Sequence, residues 1–131
     1  MRRIILVEDS KHDRFMIREC FEEAGLQAEI VEISRGDTAE QYFRQAANKN
    51  FDLVLLDVNL PRRNGYQVLR VIREHSTIAQ KPVLMMSISN TKPEAEEIDN
   101  HQPDLFWLKP DSPEEFCKLS IIVQNFLNQT S

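Results

Sequence analysis

Charged or hydroxyl residues stand directly after the apolar runs of this chain. Glu8 and Asp9 follow "IILV" (4–7), Asp57 follows "DLVLL" (52–56), Ser87 ends "PVLMMS" (82–87), and Lys109 follows "LFWL" (105–108). Three carboxylates gathered at one place repel by about 4 kcal/mol per pair at ~4 Å with an effective dielectric near 20. They require a cation, or a raised pKa that keeps one of them neutral. Lys109 supplies one positive charge and a divalent ion the rest. Mg²⁺ suits carboxylate, carbonyl and water ligands, and no Cys/His cluster competes for zinc. A carboxylate, a divalent cation, a lysine and a hydroxyl are the parts for phosphoryl transfer onto the carboxylate. Asp57 is then the nucleophile, the cations neutralise the equatorial oxygens, and Ser87 donates a hydrogen bond to one of them.

These residues meet only if the apolar runs are neighbouring strands that end at one edge. Runs of four to six apolar residues suit strands covered on both faces, and a weaker alternating run, "AEIVEI" (28–33), makes a fifth. Helical patterns lie between them. Met16, Ile17, Cys20, Phe21 and Ala24 recur at helical spacing over 10–24, with Gly25 placed to end the helix. Residues 37–47 carry Ala39, Tyr42, Phe43, Ala46 and Ala47, and 65–73 carry Val68, Leu69 and Ile72. "SPEE" opens a final helix, with Ser112 as N-cap, Pro113 at the first position and Glu115 completing a capping box. That helix buries Phe116, Leu119, Val123, Phe126 and Leu127. Strand alternating with helix predicts an α/β doubly wound parallel sheet with helices on both faces. In such a sheet ligands bind beyond the carboxyl ends of the strands, near the switch in strand order.

Bulk properties narrow the classes. A chain of 131 residues forms one compact domain, taken as 1–131. A net charge of −5 without a basic stripe argues against a nucleic-acid surface. No apolar run suits a signal peptide or a membrane span, so a soluble cytoplasmic protein is expected. Cys20 and Cys117 read as reduced packing residues, two cysteines making no disulfide framework.

The acidic pair in "VED" (7–9), "LLDVNLPRRNG" (55–65), the hydroxyl of "LMMSIS" (84–89) and "FWLKP" (106–110) together resemble the receiver domain of two-component response regulators. The resemblance spans essentially the whole chain and is to the stand-alone, chemotaxis-regulator-like kind, near the phytochrome-associated regulators. It implies a flavodoxin-like five-stranded sheet of order 2-1-3-4-5. It makes Asp57 the phosphoacceptor and places Mg²⁺, for which Mn²⁺ can substitute, on Asp9, Asp57 and the backbone carbonyl of Asn59, with Glu8 acting through a metal-bound water. Lys109 contacts the phosphoryl group, and Pro110 follows a cis peptide bond. Ser87 is the switch hydroxyl and Phe106 the aromatic that changes rotamer with it, while Pro61 and Gly65 shape the loop after the third strand. Asn59 and Ser89 lie where they modulate attacking water. Glu8 stands where Asp is commoner, Ser87 and Phe106 where Thr and Tyr are frequent. "NHQPDLFW" replaces a Gly-Ala pair before the fifth strand.

The implied function is a phosphorylation-controlled switch in signal transduction. A histidine kinase or phosphotransfer protein donates the group to Asp57, and output passes to a downstream protein or onward along a phosphorelay. Self-phosphorylation and self-dephosphorylation are the only catalysis this entails. Two other readings are a phosphorylation-independent adaptor and an aspartate-nucleophile phosphatase; the latter wants a second Asp two residues on, where Asn59 stands. Helical geometry adds two surface candidates. Phe15 lies opposite the apolar face of the first helix, as a docking residue for the kinase. Ile121 lies opposite the core face of the last helix, on an output or dimer surface, so the chain is a monomer or a weak homodimer. "KPEAEEIDNH" offers only Ala95 and Ile98 to bury, which predicts a short, mobile fourth helix.

Overall fold

The computed structural model describes residues 1–45, 50–88 and 101–129. Five parallel strands form one sheet in the order β2-β1-β3-β4-β5. They are β1 (Arg2–Val7), β2 (Ala28–Ile33), β3 (Leu53–Asp57), β4 (Val83–Ser87) and β5 (Leu105–Leu108). The described helices are α1 (Lys11–Glu23), α2 (Gly36–Arg44), α3 (Gly65–Glu74), the single turn α4 (Pro113–Phe116) and α5 (Leu119–Gln129). This is the predicted doubly wound, flavodoxin-like sheet. Among the described residues no helix is long and apolar enough to cross a membrane.

Strand β5, at the sheet edge, is not covered on both faces: Leu105, Phe106 and Leu108 are exposed, and Trp107 alone of its residues packs partly against a core. The continuous apolar runs of β1, β3 and β4 are explained by two cores. Successive side chains of a strand point to opposite faces, so Ile5, Val7, Val54, Leu56, Val83 and Met85 pack under α2 and α3, against Phe43, Leu69 and Ile72. Ile4, Leu6, Leu53, Leu55, Leu84 and Met86 face the other way, against Ile17 and Phe21 of α1 and Val123 and Leu127 of α5. Truncating any one of these buried Leu or Ile residues to Ala costs about 2–5 kcal/mol.

Local signals set the helix ends. The Ser10 side chain accepts from the Asp13 N–H to cap α1, and Gly25, at φ 71°, supplies the left-handed residue just beyond it. Asn64 and Gln67 form a reciprocal capping box on α3. Ser112 caps the turn of α4 through the Glu115 N–H.

Several expectations change here. The helix opened by Ser112 is not continuous, since α4 stops at Phe116 and α5 resumes at Leu119, and the Glu115 carboxylate accepts from Lys118 at 3.1 Å instead of completing a capping box. Ala24 does not join the α1 core stripe but is its exposed C-cap residue. Cys20 and Cys117 are not free thiols but form a disulfide, because α1 and the segment after α4 pack together with their Cα atoms 5.0 Å apart. The Lys109–Pro110 peptide is trans, since no cis bond occurs among the described residues. The expected fourth helix, with Ala95 and Ile98, falls outside the described residues, as do Ala46, Ala47 and Ser89.

Candidate functional site

In the order β2-β1-β3 the chain leaves β1 towards one side and returns on the other, which opens a crevice at the carboxyl ends of β1 and β3. Every strand-end signal arrives there or beside it. Glu8 and Asp9 follow β1, Asp57 is the last residue of β3, Ser87 the last of β4, and Lys109 follows β5. The register carries them: Val7 pairs with Leu56, Asp57 with Met86, and Ser87 with Leu108.

One carboxylate oxygen each from Glu8, Asp9 and Asp57 lies within 4.8 Å of the others. Glu8 is fully buried, Asp57 is 3% exposed, and Asp9 faces solvent. The Lys109 ammonium sits against this cluster. It donates to Glu8 Oε1 at 2.5 Å and to Asp13 Oδ2 at 2.8 Å, and stands 3.7 Å from Asp57 Oδ1. The Asn59 N–H reaches Asp57 Oδ1 at 3.4 Å. Helix α1 fixes the loop after β1: the Arg14 guanidinium donates to the carbonyls of Glu8 (2.8 Å) and Asp9 (3.0 Å) and pairs with Glu32 at 3.0 Å.

Gly65 sets the other wall. A Cβ there would lie 2.4 Å from the Asp57 carbonyl oxygen and 2.8 Å from Val58 Cα, so only glycine lets the start of α3 seat on the loop after β3. Its N–H donates to the Val58 carbonyl at 2.8 Å. An open cavity of about 570 Å³, lined by Asp9, Asn59, Pro61 and Tyr66 among others, leads into the cluster.

Burial dominates the electrostatics. It pushes the Glu8 carboxyl from 4.5 up to about 8, against the hydrogen bond from Lys109 and with the neighbouring Asp57 charge. Asp57 is also raised, by burial first, with the Lys109 charge opposing. Burial works to lower the Lys109 pKa, yet hydrogen bonds to Asp13 and Glu8 outweigh it and the net direction is up. Crowded carboxylates that favour holding a proton are a place where a divalent cation substitutes for that proton. The all-oxygen donor set, partly buried and open on the Asp9 side, fits a hard ion such as Mg²⁺ or Mn²⁺.

The remaining candidates lie outside this cluster. Phe106 on β5 is 41% exposed and Ser87 is buried. Phe15 and Ile121 are 50% and 59% exposed, on the solvent sides of α1 and α5 as the helical geometry requires. Phe15 rims a groove of about 500 Å³ between α1 and the start of α4, with Met16, Cys20 and Pro113. Asp13 escaped the sequence reading although it contacts Lys109; the available signal is its place three residues after the N-cap Ser10, in the first turn of the helix that follows Glu8 and Asp9. Glu40 also escaped it. Only 5% exposed, it is neutralised by Arg63 at 2.8 Å and Arg44 at 3.4 Å, which ties α2 to the loop after β3.

The response regulator receiver domain family model matches residues 4–120. Response regulator Rcp1 of Synechocystis sp. is 29% identical over 93 residues, covering 68% of this chain and 63% of its own length. Transcriptional regulatory protein GltR of Pseudomonas aeruginosa is 33% identical over 117 residues, 87% of this chain and 45% of its own. The chain thus spans less than two thirds of the length of either relative. Among solved structures, the phosphorylated cyanobacterial phytochrome response regulator RcpA superposes with a TM-score of 0.84 at 28% identity, over 99% of this chain and 96% of its own. The Mn²⁺-bound form of Rcp1 superposes with a TM-score of 0.79 at 24% identity, over 96% and 94%, a likeness of fold.

Proposed function

Because this chain belongs to the response regulator receiver domain family, a family of phosphorylation-based two-component signalling, we propose that Asp57 is its phosphoacceptor. The observation that carries this is the buried carboxylate at the end of β3, with two further carboxylates within 4.8 Å and a lysine 3.7 Å away. In the reaction, a carboxylate oxygen of Asp57 attacks phosphorus. The O–P bond forms as the donor's P–N bond breaks, and the released histidine nitrogen takes a proton. Asp9, Asp57 and the backbone carbonyl of Asn59 would hold Mg²⁺ or Mn²⁺, with Glu8 behind a bound water. When bound, the ion neutralises charge on the phosphoryl oxygens. A Mn²⁺-bound form of Rcp1 supports that choice of ion.

The chain's own residues do the remaining work. The Asn59 N–H orients Asp57, Lys109 offers positive charge to the incoming group, and Ser87 at the end of β4 offers a hydroxyl to a phosphoryl oxygen. Phe106 is the aromatic that follows Ser87. Phosphorylation switches the domain only by stabilising one arrangement more than another. The donor is a histidine kinase or a phosphotransfer protein, with Phe15 as a contact for it, and Ile121 lies on the surface read by a downstream protein or a second copy. Intact mass after incubation with acetyl phosphate and Mg²⁺ tests the reading. The wild type gains one phosphoryl group and Asp57→Asn gains none; equal gain by both overturns it.

A further inference from the structure

Lys109 has more partners than its assigned task explains. An ammonium has three protons and no acceptor. One proton goes to Glu8 Oε1 and a second to Asp13 Oδ2, both at hydrogen-bond distance, while Asp57 Oδ1 at 3.7 Å lies just outside it. A phosphoryl group attached to that carboxylate brings new oxygens into the gap, where the third proton is still uncommitted. Resting on the reading of Asp57 as acceptor, we propose that Asp13 is a positioning residue: with Glu8 it takes two of the three Lys109 protons and so aims the third at the phosphoryl group.

The two partners are not equivalent. Glu8 belongs to the carboxylate cluster that fits a divalent ion, and Asp13 does not. Once a cation shares the charge of Glu8, Asp13 is the carboxylate left to hold the lysine. Its own position is well fixed. The Asp13 N–H donates to Ser10 Oγ at 3.1 Å, and Arg14 beside it grips the carbonyls of Glu8 and Asp9. Further along the same helix, the Cys20–Cys117 disulfide joins α1 to the segment that follows Lys109. The helix bearing Asp13 and the segment bearing Lys109 are therefore joined at two points, one covalent and one ionic. The Asp13 side chain is 21% exposed, whereas that of Lys109 is only 5% exposed.

Asp13 also stands in the first turn of α1, where a carboxylate is favourable for the helix alone. A double-mutant cycle separates the two roles. Phosphorylation by saturating acetyl phosphate with Mg²⁺ is followed by intact mass for wild type, Asp13→Ala, Asp13→Glu, Lys109→Ala and the double variant, each checked for fold by circular dichroism. The expected result is a transfer rate about tenfold lower in Asp13→Ala, from a misplaced lysine, with most of it recovered in Asp13→Glu. In the Lys109→Ala background, adding Asp13→Ala changes the rate by less than about twofold, since its partner is gone. Asp13→Asn, which keeps the side-chain shape, takes the place of Asp13→Ala if that variant does not fold. A wild-type rate in Asp13→Ala, or the same fold-loss in both backgrounds, overturns the proposal and leaves Asp13 a helix-end residue. Failure of the wild type itself to gain a phosphoryl group overturns the acceptor reading and this proposal together.

Discussion

Replacing Glu8 by Gln should stabilise the metal-free protein at pH 8 and leave it nearly unchanged at pH 5. The folded state holds the Glu8 carboxyl at about 8 against 4.5 otherwise. Between those values the folded protein keeps a proton that the unfolded chain has released. Unfolding therefore releases a proton, and stability falls as pH rises across that window. At about 1.4 kcal/mol per tenfold in proton affinity, the full span is on the order of 5 kcal/mol. Glutamine is neutral at every pH, keeps an oxygen for the Lys109 proton and keeps a donor for Asp57. The value of about 8 already includes the Lys109 hydrogen bond to the ionised carboxylate, so the loss of that bond in glutamine adds no further cost. The net gain of Glu8→Gln over wild type should thus grow by roughly 2–4 kcal/mol from pH 5 to pH 8. Urea unfolding in EDTA at the two pH values measures it, with the difference between variant and wild type cancelling the titration of other groups. A gain that is the same at both pH values, or a Glu8→Gln protein less stable than wild type at pH 8, would refute the reasoning. Added Mg²⁺ should reverse the order, because the cation takes the place of the proton and needs the carboxylate.

Two further outcomes rest on single contacts. Gly65→Ala puts a Cβ 2.4 Å from the Asp57 carbonyl oxygen; the loop after β3 must move, at a cost of roughly 1–3 kcal/mol in urea unfolding, and phosphorylation should slow with it. Reducing the Cys20–Cys117 disulfide, whose partners are 97 residues apart in sequence, should lower stability by about 2–5 kcal/mol. Thermal unfolding with and without dithiothreitol measures this, and Cys117→Ser should be insensitive to the reductant.

The fold was legible because its main signal is local. A strand buried on both faces is apolar at every position, and β1, β3 and β4 read that way and are buried. β5 read the same way but lies exposed at one sheet edge, and β2 at the other edge showed only alternation. The charges at the strand ends were legible for the same reason, since each breaks an apolar run. What the sequence hid depends on contacts between distant segments. Lys109 and Asp13 are 96 residues apart, and a lysine gives no sign of which carboxylates it will meet. The cysteines looked like packing residues because each sits at an apolar position; only the approach of α1 to the segment after α4 makes them a pair. Glu40, flanked by Ala39, Tyr42 and Phe43, reads as a solvated helix position until Arg63 arrives from the loop after β3. Asn64 and Gln67 did spell a capping box, overshadowed by the turn signals "PRRNG" before it.

The central claim is a covalent one, that an acyl phosphate forms on Asp57. Borohydride reduces an aspartyl phosphate to homoserine, so treating the phosphorylated protein and sequencing its peptides by tandem mass spectrometry reads the acceptor directly. Homoserine at position 57, and only after incubation with phosphodonor and Mg²⁺, is the predicted result. Homoserine at Asp9 or Asp13, or an unmodified Asp57 in protein that has gained the phosphoryl mass, would contradict it.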